Sequence, residues 1–194
     1  MAAHEVPLKE YRAKLSNNRL GLWLFLLSDA FVFAALLVTR FVLLGDTRPE
    51  LSQGLGLGIT ALLLVSSFFM NRAETEMAHG NQKGFLKAIL ITFILGLIFL
   101  VGVIGVEWQL AKSHGLTPDA GQAGAIFYVM TGFHAFHVIT GILFIWIVYR
   151  NGKRGVYTAE RHWGVEAAAV YWHFVDVAWI FFYPALYLMG TVIG

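Results

Sequence analysis

Five apolar runs of at least 25 residues, at 20–44, 54–78, 85–112, 121–149 and 164–192, leave this chain little choice of environment. A helix that crosses the hydrocarbon of a bilayer needs about 20 mostly apolar residues. Each run is long enough. Breakers stand between them, with Gly45 and Pro49, Gly80, Gly115 and Pro118, then Gly152 and Gly155. The pattern predicts an all-α membrane protein, a five-transmembrane-helix bundle forming one transmembrane domain over residues 1–194. Charged residues are only 13% of the chain and 58% are hydrophobic, with a mean hydropathy of +0.66. A soluble domain carries about 25% charge, so no water-facing surface can be built from this composition.

Net charge is +2, and no stretch interleaves basic with aromatic side chains, which excludes a nucleic-acid partner. Without cysteine there is no disulfide, thiolate metal site or cysteine nucleophile. Residues 1–19 are polar and of mixed charge, unlike a cleaved signal peptide, so the first span is expected to direct insertion itself. Orientation follows from Lys and Arg, which concentrate on the cytoplasmic side. Eleven of the 14 precede span one or flank the second-to-third and fourth-to-fifth connections; Arg40, Arg48 and Lys112 fall on the other side. The N-terminus is therefore expected to be cytoplasmic and the C-terminus outside.

Small residues at Gly54 and Gly58, and at Gly96, Gly102 and Gly105, suit close helix packing. Trp108, Trp146, Tyr149 and Trp163 fall near span ends, where amphipathic rings anchor at the headgroups. Trp172 and Trp179 lie deeper and are expected between helices.

Ionisable residues inside a span are costly, which makes each a candidate for function. Six stand out: Asp29 in span one, Glu107 late in span three, His134 and His137 in span four, His173 and Asp176 in span five. At 1.5 Å per residue, Asp29 and His173 lie about 14 Å from the cytoplasmic ends of their spans, and His137 and Asp176 about 18 Å, with His134 one turn further. Glu107, about 33 Å along its span, is expected near the outer surface and partly solvated. The i,i+3 pairs His134/His137 and His173/Asp176 each share a helix face, and two such faces could satisfy one another. Three readings of this layer stay open. It is a hydrogen-bonded packing network, a network that also exchanges protons, or a metal site for iron or zinc. The Glu-x-x-His pairs of di-iron bundles are absent.

Three segments carry a resemblance: Trp23-Leu-Phe-Leu-Leu-Ser-Asp29, Phe127-Tyr-Val-Met-Thr-Gly-Phe-His134-Ala-Phe-His137-Val-Ile-Thr-Gly141, and Tyr171-Trp-His173-Phe-Val-Asp176-Val-Ala-Trp179. They resemble subunit III of the haem–copper terminal oxidases, and the likeness extends over essentially the whole chain, Glu107 and Trp108 included. The resemblance implies a non-catalytic core subunit in the bacterial cytoplasmic membrane, of the short type that lacks two N-terminal helices of longer members. It implies no catalytic residue, cofactor or metal in this chain. Haem and copper would lie in partner catalytic subunits, oxidase subunits I and II, in a hetero-oligomer, with phospholipid bound between helices. The residue matching Asp29 is associated in that family with proton uptake and sustained turnover. Asp at this position resembles the quinol oxidase branch, whereas Tyr171 to Asp176 looks more like the cytochrome c oxidase branch. An accessory protein of nitric oxide reductase is a further alternative. An independent His/Asp metal enzyme and a proton-coupled transporter have less support: there is no complete ligand motif and no repeat symmetry.

Overall fold

The computed structural model describes residues 8–193. Its helices are α1 (Leu8–Leu44), α2 (Gln53–Ala78), α3 (Gln82–Leu100), α4 (Trp108–Ser113), α5 (Gly121–Lys153) and α6 (Trp163–Tyr183). A π-helical segment, Val101–Glu107, joins α3 to α4, and a second, Pro184–Leu188, ends α6. Five continuous helical spans result, each long and apolar enough to cross a membrane.

Local sequence explains the ends. Ser52 caps α2 by accepting the Leu55 N–H, and Asn81 caps α3 by accepting that of Gly84, each satisfying an otherwise orphaned donor. The first helix starts well before residue 20, and its 37 residues extend about 55 Å, so its N-terminal turns project beyond the hydrocarbon. The fifth span stops at Leu188, four residues short of the expected 192. There the chain reaches Gly190, whose φ of +99° favours glycine, and the Thr191 N–H donates to Asp46 O at 2.7 Å. The tail Thr191–Ile193 (β2) then pairs in parallel with Thr47–Pro49 (β1) of the first connection. This clasp puts the α1–α2 connection and the chain's end on one side. At the opposite side, Gln82 Nε2 donates to Gly152 O, and Arg19 pairs with Glu166 at 2.6 Å.

Helices α2, α3, α5 and α6 form the core, with α1 laid against α5 and α6. Among the described residues of α1, only Leu26, Phe33, Arg40 and Leu44 are buried, the first three seven residues apart, so one narrow stripe faces inward. Glycine decides how closely the core helices approach. The indole of Trp172 is wedged between Gly96 of α3 and Gly141 of α5: a Cβ on either would come within 2.7 Å and 2.9 Å of its ring. Gly102 abuts Ile59. The expectation for Gly54 and Gly58 is corrected, since a Cβ there meets nothing within 4 Å. Spacing identified small residues but not the side of the helix that faces a neighbour.

Candidate functional site

Most of the membrane-embedded polar residues fall into three separate groups. On the α1–α5 crossing, Asp29 Oδ2 lies 3.4 Å from His137 Nε2. His137 Nδ1 lies 2.9 Å from the carbonyl of Phe133, one turn back on the same helix. A carbonyl only accepts, so Nδ1 carries the proton and Nε2 turns to the carboxyl. The two groups open onto a recess of about 480 Å³ lined by Phe25, Phe133, Phe136 and Tyr171, where Tyr171 Oη and Thr140 Oγ1 are 2.6 Å apart.

At similar depth between α2 and α6, His173 Nδ1 lies 2.7 Å from Ser67 Oγ and 3.8 Å from Asp176 Oδ2. Asp176 is buried, and neither carboxyl oxygen has a hydrogen-bond partner among the described residues. At 3.8 Å the contact with His173 is electrostatic rather than a hydrogen bond.

The two histidine-bearing faces do not meet. His134 turns inward and is fully buried against Trp179, at 4.8 Å between ring centroids, and Phe99, at 5.7 Å. Neither of its ring nitrogens has a hydrogen-bond partner among the described residues. His137, three residues on, points instead at α1. A three-residue step leaves side chains about 60° apart around the helix, enough to separate a core position from a neighbour's face. Trp179, the α6 side chain on which His134 packs, donates its Nε1 to Thr60 at 2.9 Å.

The third group lies at the end of the bundle that carries the clasp. Glu107 is 2% exposed, which corrects the expectation of a partly solvated carboxylate. Tyr187 donates its hydroxyl to Glu107. Each sits in one of the two π-helical segments, where the extra residue per turn re-aims side chains. Gly56 admits the phenol ring, because a Cβ there would stand 2.7 Å from it. Trp108 also departs from the anchoring role expected of it: Nε1 donates to Thr131 at 3.0 Å inside the bundle.

Sequence reasoning missed Arg40 as an embedded site. It is 1% exposed and donates to the carbonyls of Ala185, Gly45, Thr47 and Met189. It satisfies carbonyls that the π-helical ending and the clasp would otherwise leave open. The signal was an arginine inside an apolar run, four residues before its end, which had been assigned to the flanking charges.

None of these groups resembles a cofactor cage. Among the described residues, nowhere do three His, Cys, Asp or Glu side chains converge as metal ligands. The family model described as cytochrome c oxidase subunit III matches residues 10–191. The chain belongs to this family. A cytochrome c oxidase subunit 3 from Thermostichus vulcanus is 34% identical, aligned over 96% of this chain and 90% of the relative. One from Synechocystis sp. is 36% identical over 87% and 74%, and one from Podospora anserina 35% over 89% and 67%. These relatives do not favour the quinol oxidase or nitric oxide reductase alternatives. Five spans and this family make the chain a multi-pass membrane protein.

Proposed function

We propose that this chain is the non-catalytic subunit III of a bacterial haem–copper terminal oxidase of the cytochrome c type, working in aerobic respiration coupled to proton translocation. Family membership carries this reading, and the site geometry supports it. The embedded histidines and carboxyls do not converge: Asp29 lies beside His137 and His173 beside Asp176, while His134 packs among aromatic rings, so they offer no fit to haem or copper. Those groups belong to partner subunits I and II. What the chain supplies is a rigid helical surface and, at Asp29 and His137, a carboxyl beside an imidazole within the membrane, a pairing suited to proton exchange.

The proposed location is the cytoplasmic membrane, with the N-terminus inside and the clasp outside, a reading the distribution of basic residues supports. The recess beside Asp29, the apolar recess of about 290 Å³ between α1 and α6, and the basic aromatic end of α5 (Trp146, Tyr149, Arg150, Lys153 and Arg154) suit bound phospholipid. Purification in mild detergent should yield this chain with haem-containing partners, recognised by their absorption spectrum and by mass. A functional, haem-free assembly of this chain alone would refute the reading. A periplasmic-type reporter fused after residue 194 should be active, and activity of a cytoplasmic reporter there would reverse the orientation.

A further inference from the structure

We infer that the seam between α2 and α6 around Ser67, Glu74, Glu166 and His173 is the surface on which a transmembrane helix of a partner subunit docks. The inference rests on the proposed role as an oxidase subunit and adds which face is used and what the partner must present.

Ser67 and Glu74 are seven residues apart on α2, and Glu166 and His173 seven apart on α6. Seven residues return to nearly the same side of a helix, so each pair lies along one stripe. From the ends of their helices, Glu74 and Glu166 lie about 4–6 Å deep and Ser67 and His173 about 15–17 Å deep. α2 and α6 run antiparallel, Thr60 meeting Trp179 and Ser67 meeting His173, so one heptad further along Glu74 comes level with Glu166 on the same seam. Arg19 is already engaged with Glu166, by contacts at 2.6 and 3.0 Å. Glu74 has no hydrogen bond or ion pair among the described residues. His173 uses Nδ1 on Ser67, leaves Nε2 without a partner among the described residues, and is 37% exposed in its side chain.

An imidazole open to hydrocarbon at this depth finds no water and no acceptor or donor in an acyl chain, a costly arrangement. Covering the face with protein removes the cost. Exposed Leu64 and Phe68 on α2, with Ile180 on α6, flank the histidine and supply apolar contact area. The occupant that fits is a helix with a basic side chain opposite Glu74 and a hydrogen-bonding side chain about six residues deeper, opposite His173 Nε2. A second copy of this chain docked symmetrically about an axis along the membrane normal would set Glu74 against Glu74, which like charge disfavours.

The test uses the intact complex in its membrane. A photoreactive phenylalanine analogue is placed at Leu64 or at Ile180, both already exposed, and the adducts are identified by mass after irradiation. Both positions should link this chain to another subunit of the haem-containing complex. His173→Leu should leave the chain inserted but lower its amount in the purified complex by at least about fivefold, because the partner's polar group loses its mate. Adducts with lipid alone, adducts with a second copy, or an unchanged amount of His173→Leu chain would each overturn the docking surface while leaving the subunit role intact. Absence of the unaltered chain from any haem complex would instead sink the proposed function, and this inference with it.

Discussion

Replacing Gly96 with alanine adds a single methyl group, yet the packing around Trp172 gives it nowhere to go. The new Cβ would stand 2.7 Å from Cη2 and 3.1 Å from Cζ2 of the indole, where ordinary contact begins at 3.4 Å, so the ring edge must retreat by about 0.7 Å. Retreat is blocked. Gly141 lies so close to the indole that its own added Cβ would sit 2.9 Å from Cε3 and Cζ3, and Nε1 is tied to Ser66 Oγ at 3.0 Å. Overpacking of this kind costs about 1–3 kcal/mol, a factor of roughly 5 to 150 in the folding equilibrium at 1.4 kcal/mol per decade. Gly58→Ala is the control. It adds the same group to α2 where nothing lies within 4 Å, and it should stabilise by up to about 1 kcal/mol through helix propensity alone. Unfolding in mixed micelles by titration with a denaturing detergent, followed by near-ultraviolet circular dichroism, reads both. Trp172→Phe, which shortens the ring and leaves Ser66 bonded to Leu63 O, should return much of the loss when combined with Gly96→Ala. Should Gly96→Ala and Gly58→Ala shift the midpoint alike, Trp172 is not clamped and the packing argument is wrong.

Three further outcomes follow from the embedded polar groups. Tyr187→Phe removes the hydroxyl that Glu107 accepts and should destabilise by about 1–3 kcal/mol; Glu107→Leu in the same chain should recover part of it, and strict additivity in the double-mutant cycle would show the two are uncoupled. Arg40→Met frees four carbonyls and should release the tail, seen as faster hydrogen exchange across 189–193, with Arg40→Lys intermediate; unchanged protection would mean the clasp holds without it. Asp29→Asn can still donate to His137 Nε2, so the complex should assemble, but the pair no longer exchanges a proton. Oxygen consumption should then fall increasingly as pH rises from about 6 to 9 and bulk protons become scarce, with Asp29→Glu restoring it; equal rates and equal endurance in turnover would make Asp29 a packing residue.

Much of this architecture was legible in the linear chain because hydrophobic length acts locally. Twenty or more apolar residues must cross the bilayer whatever their neighbours are, so the five spans and the depth of each ionisable residue could be read from position alone. Depth was informative for Asp29 and His137, which meet. It was not sufficient for His134, which shares a helix and nearly a depth with His137 yet turns into an aromatic core. Which neighbour a buried group meets depends on rotation about the helix axis and on which helices pack together. Neither leaves a trace in a periodicity as weak as that of an almost wholly apolar span.

The sequence by itself determined the membrane, the number of crossings and the layer in which most of the polar groups lie. Tertiary structure decided their partners. Two π-helical segments, invisible to hydropathy, turned Glu107 and Tyr187 toward each other and buried a carboxyl that its place near a span end suggested was wet. Arg40 reads in sequence as a charge close to the end of a span, and only the parallel pairing of a tail with a loop over 140 residues away gave its guanidinium four carbonyls to serve. Hydrophobic length is a property of one segment, whereas a buried hydrogen bond is a property of two, and the second segment is chosen by packing.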